Sequence, residues 1–339
     1  MSKQRFFNTS LKFCILGSGS WATALMKLLL YKQSNNVCWY IRSDSTIEHI
    51  KEYGNNPQYL SSVRFDTSTF KMTSDINEAI EYANVVIVAI PAVYIPDMLS
   101  NVTVDLTQRF IVSAVKGIIP EMNTTVSEYF NEKWKIPYSQ LGVISGPCHA
   151  EEVALERLSY LTFSCKRKNL AEFISKNLET PFLRMISSTD VYGSEYAAVL
   201  KNIYAVGAGI CHGLGYGDNF LSVFVSNSFE EMRRFLNDTN LSPRQTTRSA
   251  YLGDLLVTCY SQFSRNRTLG TMVGKGYSVQ AATMEMNMVA EGYYASKCMY
   301  EINQVEGVDM PIADTVYRIL YEKSSVRDEI KKLSEEVLL

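Results

Sequence analysis

Short apolar runs alternate with amphipathic, helix-like segments along the first half of the chain. Each run has the length of a single strand, and Gly or Pro follows several of them. Strands that alternate with helices in this way are typical of a doubly wound, mostly parallel sheet. The predicted strands are residues 12–16, 37–41, 85–90, 110–115, 142–145, 160–164 and 182–187, and the predicted helices between them include residues 21–31 and 75–82.

Near residue 190 the alternation stops and helical periodicity takes over. Tyr196, Leu200 and Ile203 fit one apolar face of a helix. Further helices are predicted at residues 230–236, 249–260, 278–284, 290–302 and 315–321. The predicted fold class is therefore α/β, with an N-terminal Rossmann-like doubly wound sheet over residues 1–190 and a C-terminal all-α domain over residues 191–339.

Composition narrows the function classes further. The chain has 339 residues, of which 46% are hydrophobic and 20% charged, and a formal net charge of −2. These values are typical of globular proteins and do not favour a nucleic-acid partner. No apolar run reaches the roughly 18 residues of a membrane span, and the polar first residues do not indicate a secretory signal. We therefore expect no membrane insertion and a cytoplasmic location.

Cysteine and histidine usage favours neither disulfides nor a metal. The seven Cys are scattered and form no Cys-x-x-Cys pair, so reduced thiols are expected. His149 lies close to Glu151 and Glu152, which together could imitate a ligand group. Zinc-type sites need more converging ligands, so no metal is predicted there.

Residues 17–22 read Gly-Ser-Gly-Ser-Trp-Ala between a predicted strand and a predicted helix. In this dinucleotide-binding turn, Gly17 permits the tight turn and Gly19 lets the backbone approach a pyrophosphate. Ala22 lets the helix pack close to the sheet, and the helix N-terminus attracts the phosphates. The pattern in this context predicts binding of NAD or NADP.

The end of the second strand bears on which of the two cofactors is used. Arg42 and Ser43 come first and suit a 2′-phosphate, whereas Asp44 lies slightly further on and could serve NAD. We favour NADP. The alternative is that Arg42 is a surface charge that stacks on the adenine without selecting either cofactor.

Two lysines stand in apolar surroundings. Lys116 follows the strand at residues 110–115, and Lys201 lies within an apolar helix. Desolvation lowers the pKa of a lysine, which would produce a general base near neutral pH. The alternative is that each ammonium reaches solvent at the end of its flexible stem.

The stretch 253–270 opens with Gly-Asp, continues as an apolar run and closes on Ser-Arg-Asn-Arg. Hydroxyl, guanidinium and amide donors within a few residues suit a phosphate group. The alternative interpretation is a solvated helix end.

These motifs together resemble the NAD(P)-dependent sn-glycerol-3-phosphate dehydrogenases of the bacterial soluble type. The resemblance runs in order over nearly the whole chain. Its matching segments are residues 17–25, 114–118, 144–153, 201–205, 213–219, 253–270 and 289–292.

The resemblance implies reversible reduction of dihydroxyacetone phosphate to sn-glycerol 3-phosphate by NAD(P)H, which supplies glycerophospholipid synthesis. It implies that Lys201 is the acid/base, that Lys116 polarises or positions the substrate near the nicotinamide, and that Asp254 orients Lys201 and the substrate hydroxyls. The implied substrate contacts are Lys116, Gly146, Cys148, Lys201, Asp254, Ser264, Arg265 and Asn266. The implied cofactor contacts are Gly17, Gly19, Ser20, Trp21, Arg42, Lys116, Ala150, Arg265, Val289 and Glu291. A homodimer is an expectation by analogy only.

Several positions depart from the family pattern. Cys148 stands where Ser or Thr is usual, Trp21-Ala22 is often aromatic-Gly, and Tyr251 occupies a position that is often Gly. Residues 221–228 lack the usual Thr-Arg-Gly-like segment. These changes bear on kinetic efficiency and loop packing more than on reaction type.

Two other functions remain compatible with the motifs. One is a related dehydrogenase that acts on another small hydroxy acid or ketoacid. The other is a redox-sensing protein that holds NAD(P) without turnover, against which the presence of Lys116, Lys201 and Asp254 argues.

Overall fold

The computed structural model describes residues 11–33, 36–286 and 288–337. The polar first residues, on which the expectation about a secretory signal depends, lie outside that part of the chain. Over the described residues, no helix is long and apolar enough to cross a membrane. All seven cysteines are buried free thiols.

The chain divides into two compact units. The first comprises the chain up to Ile90 together with Tyr94–Val115 and Val126–Val191, and the second comprises Pro91–Val93, Lys116–Thr125 and the chain from Tyr192. Two short loop segments that precede residue 190 thus belong to the second unit. Ile118 shows the reason, since its side chain is fully buried in the helical core of that unit.

The first unit is an α/β sheet domain. Its strands are β1 Lys12–Leu16, β2 Asn36–Tyr40, β3 Lys71–Thr73, β4 Val85–Val88, β5 Phe110–Ser113, β6 Leu141–Ser145, β7 Ser159–Cys165 and β8 Leu183–Ser188. Its helices are α1 Ser20–Tyr31, α2 Asp44–Tyr53, α3 Ile76–Tyr82, α4 Ile95–Leu99, α5 Val126–Trp134, α6 Ala150–Ala154 and α7 Lys168–Leu178.

The described strands form one sheet in the order β3-β2-β1-β4-β5-β6-β7-β8. The first six positions follow the strand order of a doubly wound nucleotide-binding fold. Successive strands are added on one side of β1 up to β3 and on its other side from β4 onward, so the strand order switches between β1 and β4. All neighbouring pairs are parallel except β6 with β7. Every residue of β4, β5 and β6 is buried, which explains the continuous apolar runs of the sequence. The predicted Rossmann-like fold class is confirmed.

The second unit is helical. Its helices are α8 Val191–Gly213, α9 Asp218–Thr239, α10 Asp254–Tyr260, α11 Arg265–Gly274, α12 Val279–Glu285, α13 Glu291–Glu306, α14 Pro311–Tyr321 and α15 Val326–Glu336. A π-helical turn at Ser249–Gly253 leads directly into α10. The predicted C-terminal all-α domain is therefore confirmed.

Helices α8 and α11 cross with their backbones in direct contact. Each contributes a Gly-x-x-x-Gly pair, Gly209 with Gly213 on α8 and Gly270 with Gly274 on α11. A Cβ added at Gly270 would lie 2.0 Å from the carbonyl oxygen of Val206. Since this distance is far below van der Waals contact, only glycine lets the two helices approach so closely.

We expect Gly270→Ala to destabilise the protein. The added methyl group would force the two backbones apart, at a cost of about 1–3 kcal/mol, which corresponds to a fall in Tm of about 2–12 °C. The measurement is thermal unfolding followed by circular dichroism. Gly217→Ser is the control, because a Cβ at this helix-capping position meets nothing within 4 Å. Equal Tm values for Gly270→Ala and the wild type would contradict the close crossing.

Candidate active site

The glycine-rich turn after β1 lies where the strand order reverses. Gly17 has φ +123°, and a Cβ there would lie 2.6 Å from Cγ2 of Ile90 and 2.7 Å from the carbonyl oxygen of Ala89. Gly19 is the N-cap of α1, and a Cβ there would meet nothing within 4 Å. No side chain caps this helix end, and its first turn carries no acidic residue. The open space above the helix N-terminus fits a dinucleotide pyrophosphate.

Two buried side chains that sequence reasoning missed hold this turn in place. Trp39 Nε1 donates to the carbonyl oxygen of Gly17 at 2.7 Å. Asn56 Nδ2 donates to the carbonyl oxygen of Ser18 at 2.8 Å and to Thr23 Oγ1 at 3.0 Å. Asn56 lies beyond α2 and follows no recognised motif, so no local signal pointed to it.

The end of β2 presents an exposed Arg42. The next residue, Ser43, is the N-cap of α2, and its Oγ accepts a hydrogen bond from Thr46 N at 3.2 Å. Asp44 is the first residue of that helix. The Arg42 side chain thus places a basic group two residues after the end of the strand.

The predicted catalytic residues come together in the second unit. Asp254, the first residue of α10, forms ion pairs through Oδ1 with Lys201 Nζ of α8 and through Oδ2 with Lys116 Nζ, the latter at 3.5 Å. The side chains of Lys201 and Asp254 are 3% and 1% exposed, and that of Lys116 is 20% exposed. The alternative that Lys201 reaches solvent is therefore wrong.

Burial sets the proton affinity of this cluster. Desolvation lowers the pKa of Lys201 from its usual value near 10.5 to about 7. The Asp254 carboxylate opposes this shift, and the neighbouring Lys116 ammonium adds to it. An amine with this pKa can both donate and accept a proton at neutral pH.

The Ser-Arg-Asn-Arg cluster begins a helix. Ser264 is the N-cap of α11, and its Oγ accepts from Arg267 N at 3.3 Å. Arg265 is exposed in the first turn, whereas Asn266 is buried. The cluster therefore starts a new helix, since α10 already ends at Tyr260. A helix N-terminus that carries an arginine is suited to an anion.

Glu291 is a half-buried residue at the first position of α13, and its carboxyl oxygen Oε2 is buried. Its Oε1 accepts from Ala92 N at 3.0 Å, and a Cβ at Gly117 would lie 2.2 Å from its Oε2. Burial raises the pKa of Glu291 to about 7, which hydrogen bonding to Ala92 and the charge of Arg265 oppose. Gly117, next to Lys116, thus leaves the space in which the Glu291 carboxyl group lies.

Several other predicted site residues belong to the first unit, whereas the lysine cluster belongs to the second. Gly146, Cys148 and Ala150 are in the first unit after β6, where Gly146 has φ +117° and Cys148 is buried. Ser20 and Trp21 open α1. Over the described residues, no group of three or more His, Cys, Asp or Glu side chains has the arrangement of a metal site.

Comparison with known proteins shows similarity over both units. The sequence profile of the NAD-dependent glycerol-3-phosphate dehydrogenase N-terminus matches residues 12–171, and that of the C-terminus matches residues 190–331. A glycerol-3-phosphate dehydrogenase [NAD(P)+] of Staphylococcus aureus is 33% identical over 326 residues, which cover 96% of this chain and 98% of that protein. Its counterpart in Staphylococcus haemolyticus is 33% identical over 325 residues, covering 95% and 97%. The crystal structure of glycerol-3-phosphate dehydrogenase from Coxiella burnetii superposes with a TM-score of 0.86 at 25% identity, covering 96% and 99%.

We expect Gly117→Ala and Glu291→Ala to be energetically coupled. Alone, Gly117→Ala should lower stability by about 1–3 kcal/mol, because the new methyl group collides with the Glu291 carboxyl group. Once Glu291 is replaced by Ala, most of that loss should disappear. Thermal unfolding of the two single variants and the double variant measures the coupling. The same loss in both backgrounds would contradict the contact.

Proposed function

The chain belongs to the NAD-dependent glycerol-3-phosphate dehydrogenase family, and we propose that it reduces dihydroxyacetone phosphate reversibly to sn-glycerol 3-phosphate. The bound nicotinamide of NADH or NADPH supplies the hydride. The observation that carries the proposal is the buried Lys201–Asp254 pair with Lys116 beside it.

Lys201 is proposed as the acid/base. When hydride reaches the carbonyl carbon, the carbonyl electron pair moves to oxygen, and the Lys201 ammonium gives this oxygen its proton. In the reverse direction the neutral amine takes the hydroxyl proton, for which a pKa of about 7 is suitable. Lys116 stabilises the developing negative charge, and Asp254 orients the two amines.

The phosphate of the substrate is assigned to the N-terminus of α11. Ser264, Arg265 and Asn266 supply the helix end, a guanidinium and an amide there. Binding this remote group holds the carbonyl carbon in position for hydride transfer. Gly146 and Cys148 are proposed as further substrate contacts.

The cofactor is assigned to the turn of Gly17 and Gly19, which leaves space for a pyrophosphate. Arg42 is proposed to bind the 2′-phosphate of NADP. The further proposed cofactor contacts are Ser20, Trp21, Lys116, Ala150, Arg265, Val289 and Glu291.

A related dehydrogenase acting on a small hydroxy acid or ketoacid is the second candidate. The helix N-terminus beside Arg265 favours a phosphorylated substrate over a plain hydroxy acid or ketoacid, although arginine binds carboxylates as well. We further propose a cytoplasmic homodimer whose product supplies glycerophospholipid synthesis.

The direct test is the loss of reduced-nicotinamide absorbance when dihydroxyacetone phosphate is added with NADPH, and then with NADH. A panel of ketoacids serves as the comparison. Rapid turnover with a ketoacid but none with dihydroxyacetone phosphate would overturn the proposed substrate. A folded protein that binds cofactor and turns over no substrate would favour the sensor function.

We expect Lys201→Ala to reduce kcat by about 100-fold or more, because the alkoxide loses its proton donor. Cofactor affinity, measured by quenching of protein fluorescence, should remain near that of the wild type. Lys275→Ala is the matched control, since Lys275 is an exposed lysine of the same unit. Turnover of Lys201→Ala at the wild-type rate would exclude Lys201 as the acid/base.

We expect Arg42→Asp to weaken NADPH binding about tenfold or more beyond its effect on NADH, because only NADPH carries the 2′-phosphate. The measurement is the KM of each cofactor. Lys51→Asp makes the same change of charge at an exposed position in the last turn of α2. Equal losses for the two cofactors in Arg42→Asp would show that this arginine does not select the phosphate.

A further inference from the structure

A chain of amide hydrogen bonds runs through the second unit beside the lysine cluster. Asn202 Nδ2 donates to the carbonyl oxygen of Lys116. Asn266 Nδ2 donates to Asn202 Oδ1 at 2.8 Å, and Gly292 N donates to Asn266 Oδ1 at 2.9 Å. Asn202 is 4% exposed and Asn266 is 8% exposed.

The two ends of this chain determine its direction. Gly292 offers a backbone N–H, which can only donate, and Lys116 offers a carbonyl oxygen, which can only accept. Asn266 must therefore turn its oxygen towards Gly292, and Asn202 must turn its amino group towards Lys116. Reversing either amide would set two acceptors or two donors against each other in a buried place, which is costly.

This series of hydrogen bonds connects four parts of the second unit that carry residues with an assigned role, namely the Lys116 loop, α8, α11 and α13. Asn202 directly follows Lys201 on α8, and Asn266 lies in the first turn of α11 beside Arg265. Gly292 directly follows Glu291 on α13, and a Cβ at Gly292 would lie 2.5 Å from the carbonyl oxygen of Asn202. Asn202 thus lies where α8, α11, α13 and the Lys116 loop meet.

We propose that Asn202 is a positioning residue for the reaction, which acts by holding the backbone of Lys116 so that its ammonium stays beside Asp254 and Lys201. Asn266 fixes the Asn202 side chain through its hydrogen bond to Asn202 Oδ1 and is the second positioning residue. This inference rests on the proposed roles of Lys116 and Lys201, and it adds a residue that acts through the backbone of Lys116.

The position of Lys116 has an electrostatic consequence for Lys201. The charged or titratable groups that act on Lys201 are Asp254, Lys116 and Cys259. Of these, Lys116 is the one that opposes the positive charge on Lys201. If the Lys116 loop is released, its ammonium moves away, the repulsion weakens, and the pKa of Lys201 rises.

Asn202→Leu tests the proposal, because leucine has a similar volume and no polar atom. Asn303→Leu is the matched control in the same unit. Asn303 is also buried, and its side chain also makes two hydrogen bonds, in this case to two backbone groups, Val308 N at 3.0 Å and Val308 O at 2.8 Å. Both variants lose two hydrogen bonds, but only one of them loses contact with Lys116. If Asn202→Leu does not fold, Asn202→Ala replaces it, since alanine leaves room for water.

Two measurements are made on both variants and on the wild type. The first is the rate at which cyanate carbamylates Lys201 at a series of pH values, measured by mass spectrometry of the peptide that contains Lys201. Because cyanate reacts with the neutral amine, the pH dependence of this rate reports the pKa of Lys201 without any turnover. The second is kcat for dihydroxyacetone phosphate with NADPH.

For Asn202→Leu we expect the carbamylation midpoint to move upward from about 7 and kcat to fall about 10- to 100-fold, as for a misplaced catalytic group. Asn303→Leu should lower Tm but leave both quantities as in the wild type. An unchanged midpoint in Asn202→Leu, or the same changes in both variants, would overturn the proposal. If the wild type does not reduce dihydroxyacetone phosphate, the proposed function fails, while the carbamylation measurement still decides the role of Asn202.

Discussion

The second unit depends on one costly interaction, the burial of the Lys201 ammonium against the Asp254 carboxylate. Removing a charged amine from water disfavours its charged form, and a neighbouring carboxylate compensates only when its geometry is held closely. Lys116 approaches the same carboxylate, and its positive charge further lowers the pKa of Lys201. The result is an amine whose pKa of about 7 lies well below the usual lysine value of about 10.5.

Close contacts between helix backbones hold the elements around this ion pair in place, in addition to the side-chain hydrogen bonds of Asn202 and Asn266. Helices α8 and α11 meet backbone to backbone through their glycine pairs, so their separation is set by hard contact. Gly292 brings the start of α13 against α8 in the same way. Lys201, the N-terminus of α11 and the half-buried Glu291 are therefore placed by direct contacts within a single unit. A dehydrogenase gains from such rigidity because proton and hydride positions must agree closely.

Some strands and helices have a clear pattern in the sequence, and others have a weak one or none. Strands such as β4 were predicted because a buried parallel strand reads as a continuous apolar run. The edge strand β3, only Lys71–Thr73, has no such run. Helix α2 was missed although Ser43 caps its start and Gly54, with φ +71°, ends it, so its signal was present in the sequence. The N-cap role of Ser264 was a similar signal for the start of α11.

By itself, the sequence determined the alternation of strands and helices in the first half, the helical second half, the nucleotide-binding turn and the membership of the family, because apolar periodicity and short motifs are properties of neighbouring residues. It also named Lys116, Lys201 and Asp254 as a set through resemblance. Only the tertiary structure decided that Lys201 is buried and not solvated, and that Asn202 and Asn266 bond to each other. It alone showed that Gly117 leaves room for Glu291. Desolvation and hydrogen bonding depend on which atoms surround a group in space, and those atoms come from distant parts of the chain.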